Sequence, residues 1–205
     1  MTEGKTVAVV MCTYNGEKFL REQLDSILRQ TYPISEIIVQ DDCSTDSTVA
    51  ILRSYAARDG RVRVIVNEHN LGFNRNFRSA VMKATADFVA ISDQDDVWMP
   101  DKIERQVEAI GQYNICYSDH LRGTTLEGAH MVSPRCSLEA LMFGGFAGHT
   151  MLLRRDFVQR DDVWMDGIYY DWSLGLNAYF HGDKAITHIG LSLIHISEPT
   201  RPISI

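Results

Sequence analysis

Three carboxylates lie within four residues of one another, at Asp93, Asp95 and Asp96. Carboxylates at this spacing repel one another, so grouping them at a strand end is costly unless a cation is present. Hard divalent cations take oxygen ligands, and Mg²⁺ is usually held by one or two carboxylates together with substrate phosphates. A solvated acidic loop would also explain such a run, but this one follows an apolar segment and precedes Trp98. The segment therefore predicts a divalent-cation site that would neutralise a diphosphate.

A second pair of carboxylates, Asp41 and Asp42, follows another apolar segment and precedes the helix-capping residues at 44–46. Helix capping needs only one such side chain, so the additional carboxylates indicate a binding role. A carboxylate at this point can accept a hydrogen bond from the N–H of a nucleotide base. Tyr14 follows the first apolar segment, and its flat ring suits stacking on a base, although simple packing explains a single aromatic residue equally well. Together these residues predict a nucleotide site.

The apolar segments that precede these polar groups alternate with helical patterns. Short runs rich in β-branched residues at 6–12, 36–40, 62–66 and 88–91 predict buried strands. Apolar residues at helical spacing follow each run. Four strand–helix units in a row predict an α/β fold with a parallel sheet covered by helices. Because ligands bind at the carboxyl ends of such strands, we expect the polar groups to converge on one crevice.

The pattern is looser after residue 111. The final segment, 191–205, contains two prolines and no clear periodicity, so we interpret it as an atypical tail that is foreign to the domain and assign it no function. The elements predicted in this half are strands at 115–118, 150–153 and 184–189 and helices at 138–143 and 171–180.

Composition limits the classes of function. With 205 residues, 45% of them hydrophobic, the chain is long enough for one globular domain with a sizeable core. Its net charge of −7 argues against a nucleic-acid surface, which needs clustered Lys and Arg. The four cysteines form no C-x-x-C pair, which predicts free thiols in a reducing compartment. The polar N-terminus and the lack of an apolar run of about 20 residues predict a cytoplasmic location.

The order and spacing of the polar segments resemble family 2 glycosyltransferases of the GT-A fold. The resemblance covers roughly residues 5–190, and within the family the chain looks most like bacterial rhamnosyltransferase-type enzymes of surface-polysaccharide synthesis. The matching segments are 13–16, 28–33, 41–48, 70–76 and 93–98.

The resemblance implies an inverting transfer of a sugar from a nucleotide diphosphate donor to an acceptor hydroxyl, with Mn²⁺ or Mg²⁺ as cofactor. It implies a glycan or lipid-linked glycan as acceptor, no nucleic-acid partner, and a peripheral contact with the cytoplasmic face of the membrane. The residues it assigns to the nucleotide are Asp42 on the base, Tyr14 stacked on it, Asp93 near the ribose and Arg75 near the phosphates, with Thr13 and Asn15 completing the set. Asp95 and Asp96 would contact the metal or the diphosphate.

Inversion also needs a carboxylate that takes the proton of the acceptor hydroxyl. The family places an acidic residue before a late helix, and Asp171 matches that position. A helix N-cap is the alternative role for Asp171, and Asp166 is the second candidate for the base. The resemblance further implies one domain at 1–190, with a donor half at about 5–110 and an acceptor and catalytic half at about 111–190.

Two other functions remain open from the sequence. A nucleotidyltransferase also uses clustered carboxylates and a metal, but it usually carries a Gly-rich loop with Lys or Arg after its first strand, which residues 13–18 resemble poorly. A truncated, non-catalytic nucleotide-sugar-binding module is the second, and it would bind a donor without turnover.

Overall fold

The computed structural model describes residues 4–123, 127–143, 145–180 and 185–196. Within these ranges nine strands form one sheet in the order β3-β2-β1-β4-β8-β6-β9-β5, with β7 paired to β6. The strands are β1 (Val7–Thr13), β2 (Glu36–Asp41), β3 (Val62–Val66), β4 (Phe88–Ser92), β5 (Asp96–Trp98), β6 (Ile115–Gly123), β7 (His130–Val132), β8 (Leu152–Arg154) and β9 (Ile186–Ile196). The helices are α1 (Leu20–Leu28), α2 (Thr48–Ala56), α3 (Phe73–Val81), α4 (Lys102–Ile110), α5 (Leu138–Phe143), α6 (Arg155–Val158) and α7 (Tyr170–Phe180).

The first four strands form the parallel sheet that the sequence predicts. β1 pairs in parallel with β2 and β4, and β2 pairs in parallel with β3. Successive residues of β1 point to opposite faces, because the side-chain period of a strand is two. Val9 packs on one face with residues of α1, α2 and α4. Val10 packs on the other face with residues of α3 and α7. Both faces are therefore covered, which explains the continuous apolar runs.

The second half of the sheet mixes directions. β8 pairs antiparallel with β4 and β6, whereas β9 runs parallel to β6 and antiparallel to β5. The sequence did not predict β5 or β7, which are only three residues long. The strand predicted at 150–153 begins at Leu152, because Gly148–Thr150 forms a 3-10 turn.

The last strand corrects the predicted end of the sheet. The strand expected at 184–189 is observed as Ile186–Ile196, and Lys184 lies outside the described residues. Leu193 is buried and pairs with Trp98, and Ser192 donates a hydrogen bond to Ser118 Oγ at 2.6 Å. The predicted domain end at residue 190 therefore falls inside β9, because residues beyond it pair with β6 and with β5. The rest of the proposed tail, 197–205, lies outside the described residues.

The expected α/β fold is confirmed, with helices on both faces of the sheet. Among the described residues, no helix combines the length and apolar character needed to span a bilayer.

Candidate active site at the carboxyl ends of the strands

A hydrogen-bond network joins the loops that follow β1 and β2. The hydroxyl of Thr13, the last residue of β1, donates to Asp41 Oδ2 at 2.8 Å, and the hydroxyl of Ser44 donates to the same oxygen at 2.5 Å. The main-chain N–H of Asn15 donates to Ser44 Oγ at 2.9 Å, and the Asn15 side-chain oxygen accepts from the Thr45 N–H at 2.8 Å. Thr13 and Asn15, which we predicted to bind the nucleotide, thus fix the loops on which it would rest.

Asp42 is buried and organises a third loop, at 67–72. Its carboxylate accepts from Asn67 Nδ2 and the Leu71 N–H at 2.7 Å each, and from the Gly72 N–H at 2.9 Å. A carboxylate has about four acceptor positions, and these bonds fill three of them. Tyr14 beside it is 52% exposed, which leaves its ring open to a planar ligand.

Gln94, in the middle of the acidic segment, holds the first loop. Its Oε1 accepts from the Tyr14 N–H at 2.9 Å, and its Nε2 donates to the Tyr14 carbonyl at 3.1 Å. Gly16 makes room for this contact, since a Cβ added there would lie 2.3 Å from Gln94 Oε1. The loop that carries Tyr14, the residue predicted to stack on the base, is therefore hydrogen-bonded to the acidic segment that is predicted to face the diphosphate.

Asp93 and Asp96 meet two histidines. His149 Nδ1 lies 3.0 Å from Asp93 Oδ2 and 3.9 Å from Asp96 Oδ2, and His195 Nδ1 lies 2.7 Å from Asp96 Oδ1. Burial on its own lowers the pKa of His149, but the charge of Asp96 and the hydrogen bond to Asp93 outweigh it and raise the pKa to about 9. Burial conversely raises the pKa of Asp96, but the charge of His149, the hydrogen bond from His195 and the charge of Lys102 together outweigh this effect, so the net pKa is lowered. His149 and Asp96 thus stabilise each other's charged forms.

Lys102 lies beneath this group and is fully buried. Its Nζ donates to the His149 carbonyl at 2.9 Å and lies 4.1 Å from the centre of the Trp98 ring. Burial lowers the pKa of Lys102 to about 7, although the nearby Asp96 opposes the shift. The ammonium ties the first turn of α4 to the 3-10 turn that carries His149.

The donor set fits a divalent cation, which would displace the proton that His149 carries in the metal-free form. One ligand atom each from Asp96, His149 and His195 lie within 4.8 Å of one another. Asp96 Oδ2 and His149 Nε2 are buried and make no hydrogen bond within the described residues, which is costly for a polar atom unless a further partner binds there. Asp95, the other predicted ligand, is partly buried and is not a member of this group.

The candidate base faces the same space as the acidic group. Asp171 is the second residue of α7 and lines a cavity of about 340 Å³ together with Asp93, His149 and Phe73. Burial raises the pKa of Asp171, the N–H of Trp172 opposes this, and the charge of Asp93 adds to it. The structure thus brings Asp171, a carboxylate of raised pKa, into the same cavity as Asp93 and His149.

Arg75 and Asp166 line a different cavity, of about 410 Å³, with Arg78 and Trp164. The structure therefore separates Asp166, the second candidate for the base, from the acidic group. It also places Arg75, which the resemblance assigns to the phosphates, outside the cavity that Asp93 lines.

Sequence reasoning missed several groups that complete the site. No periodic pattern marks His149, and the buried strand after it was the available signal. Lys102 was overlooked because lysine is almost never fully buried. Gln94 lies between carboxylates, and nothing in the sequence shows its contact with Tyr14.

The fold and the site together define a class of protein. The GT-A sugar-nucleotide transferases combine a parallel sheet and crossover helices with polar loops and an acidic segment at the carboxyl ends of the strands. A separate carboxylate lies across the crevice from them. The model of the family described as glycosyl transferase family 2 matches residues 8–161. The chain belongs to that family.

Known relatives agree with this assignment. TuaG of Bacillus subtilis (strain 168), a glycosyltransferase whose name proposes a role in teichuronic acid biosynthesis, is 36% identical over 112 residues, which are 55% of this chain and 44% of TuaG. The chain thus spans less than half of that relative.

Solved structures share the fold. TarS 1-349 of S. aureus in complex with UDP-GlcNAc superposes with a TM-score of 0.76 at 18% identity, covering 96% of this chain and 60% of TarS. The mannosyltransferase PcManGT of Pyrobaculum calidifontis in complex with GDP-Man and Mn²⁺ gives a TM-score of 0.74 at 19% identity, covering 94% and 57%. Likeness at this level of identity supports the GT-A fold.

Proposed function

We propose that this chain is the catalytic domain of an inverting, metal-dependent glycosyltransferase that moves a sugar from a nucleotide diphosphate donor to an acceptor hydroxyl. The observation that carries the proposal is the cavity shared by Asp93, His149 and Asp171. Asp171, a carboxylate whose pKa is raised, lines this cavity together with the segment that would face the diphosphate. Family membership supports the class of reaction.

We assign residues 5–110 to the donor and residues 111–190, with the strand that continues to Ile196, to the acceptor and to catalysis. Tyr14 would stack on the base, and Asp42 would accept its N–H in the one acceptor position left open. Asp93 would lie near the ribose, and Arg75 would have to turn from its present cavity to reach the phosphates.

Asp96, His149 and His195 would hold a divalent cation, with Asp95 toward the diphosphate. When bound, such a cation supplies charge neutralisation for the leaving diphosphate. Imidazole ligands suit Mn²⁺ better than Mg²⁺, which prefers carboxylates, water and phosphate oxygens. The complex of PcManGT with Mn²⁺ agrees with this choice.

Asp171 would accept the proton of the acceptor hydroxyl as that hydroxyl attacks the sugar from the face opposite the diphosphate. Because burial raises the pKa of Asp171, the carboxylate is a stronger base than an exposed one. Activity should fall as the pH drops through this raised pKa, since only the ionised form takes a proton.

The proposal also includes the substrates and the biological setting of the reaction. We propose a rhamnosyl donor and a glycan or lipid-linked glycan acceptor from the sequence resemblance. The same resemblance suggests bacterial surface-polysaccharide synthesis as the setting, and the name of TuaG agrees with it. A cytoplasmic location and a peripheral contact with the membrane belong to the same proposal.

The test is donor turnover by this chain with Mn²⁺, measured as nucleotide released from UDP-glucose, UDP-GlcNAc, GDP-mannose and dTDP-rhamnose. We expect Asp171→Asn to lower turnover roughly 10²–10⁴-fold, the usual cost of losing a positioned base, with donor affinity unchanged. Asp166→Asn, in the other cavity, is the matched control and should retain the rate. Donor binding without turnover in the unaltered chain would instead support a binding module.

A further inference from the structure

We propose that Phe73 and Tyr169 form a stacking platform for a pyranose ring of the acceptor, an inference that rests on the proposed function of Asp171. Phe73 is 49% exposed and Tyr169 is 56% exposed. Their rings meet edge to face, with centroids 6.5 Å apart and an interplanar angle of 78°. The two rings therefore form an exposed aromatic surface, and its position beside the proposed base is what distinguishes it from other exposed rings.

The platform is rigid because buried rings support it. The Phe73 ring lies 5.1 Å from Phe77 and 5.2 Å from Tyr170, centroid to centroid. Both supporting side chains are almost completely buried. The outer ring is thus fixed from behind, and its exposed part loses little conformational freedom when a ligand binds.

Asn74 fixes the two exposed rings relative to each other. Its Nδ2 donates to the Ile168 carbonyl at 2.7 Å, and its Oδ1 accepts from the Tyr170 N–H at 3.0 Å. These bonds clamp the start of α3 onto the segment that contains Tyr169. They explain why residues 96 positions apart in the chain form one surface.

The position of the platform indicates which ligand would cover it. Phe73 lines the same cavity as Asp171, and the Tyr169 ring contacts the Phe73 ring. An acceptor hydroxyl must come within about 2.6–3.2 Å of the base, so the sugar ring that carries it lies against the neighbouring wall. One face of a pyranose carries mainly C–H groups, which pack on the apolar face of an aromatic ring, while its hydroxyls stay free for Asp171.

Saturation-transfer NMR on the full chain tests the platform with three probes: methyl α-L-rhamnopyranoside, methyl β-D-glucopyranoside and methyl N-acetyl-β-D-glucosaminide. We expect saturation of the ring protons of at least one probe, reduced at least threefold in Phe73→Leu and in Tyr169→Leu. Leucine keeps apolar volume but removes the flat face. The Tyr179→Leu/Phe180→Leu variant is the control, because these two exposed rings also meet edge to face, but near the far end of α7.

Melting temperatures identify any variant that fails to fold, and Phe73→Tyr, which restores a flat ring, should recover the signal. Absence of saturation for all three probes, or equal loss in the control, would overturn the proposal. Saturation of the alkyl but not the ring protons of octyl β-D-glucopyranoside would do the same, since it indicates an apolar chain as occupant. Failure of the proposed function gives a different result, namely platform-dependent probe binding without donor turnover.

Discussion

At the scale of single residues, Asp42 has a structural role in addition to the nucleotide-binding role that we propose for it. The sequence offered helix capping or base recognition as its roles. The structure shows a third role, because three donors from the 67–72 loop converge on its two oxygens. Long-range contacts of this kind have no periodic signal in the sequence.

Replacing Asp42 should therefore affect both stability and binding. In Asp42→Asn an amide replaces an oxygen that accepts a main-chain N–H, so we expect the free energy of unfolding to fall by about 1–3 kcal/mol. Nucleotide affinity should also fall about tenfold, because the loop and the charge are both disturbed. Urea unfolding and calorimetry with UDP and Mn²⁺ measure the two effects.

The control is Asp59→Asn. Asp59 also accepts main-chain and side-chain donors, here from Arg61, but at a turn between α2 and β3. It should change stability without changing nucleotide affinity. Unchanged affinity in Asp42→Asn as well would remove Asp42 from the nucleotide site.

At the scale of elements, the fold depends on local patterns that are legible in the sequence. The strand at Val62–Val66 is observed with the predicted bounds, because a β-branched run between turns has few alternatives. β5 was not predicted because it is only three residues long and is defined by its pairing with β9. The polar groups at the ends of β1, β2 and β4 were predictable as neighbours from strand order, whereas His149 and Gln94 depend on loop paths that no period encodes.

The contact between the first loop and the acidic segment gives a test at this scale. Gly16→Ala would place a methyl group on the Gln94 amide, 2.3 Å from its oxygen, so that Gln94 must release Tyr14. We expect a loss of about 1–2 kcal/mol in unfolding free energy for two hydrogen bonds, together with weaker nucleotide binding.

Gly60→Ala is the matched substitution, since a Cβ at that position meets no atom within 4 Å. It should stay within about 0.5 kcal/mol of the original chain. Nucleotide affinity that is equal in the two variants would show that the clamp from Gln94 has no part in binding.

At the scale of the whole molecule, the site depends on both halves of the chain meeting across the sheet. Asp96 comes from the first 110 residues of the chain, whereas His149 and His195 come from the later part, and Lys102 donates a hydrogen bond to the His149 carbonyl. Such a site should bind a nucleoside diphosphate and a cation together, because the acidic segment repels phosphates until its charge is neutralised. The two ligands should therefore act cooperatively on stability.

This coupling predicts a specific pattern of thermal stabilisation. A ligand at 100 times its Kd adds about 2.7 kcal/mol, and each kcal/mol raises the Tm of a chain of this size by roughly 2–4 °C. We therefore expect saturating UDP with Mn²⁺ to raise the Tm by roughly 5–10 °C, and UDP with EDTA or Mn²⁺ alone to raise it far less. Mg²⁺ should give a smaller shift than Mn²⁺, because the donor set includes imidazole. An equal shift with UDP in the presence of EDTA would show that the diphosphate is held by the protein's own cations, and would count against a metal at Asp96 and His149.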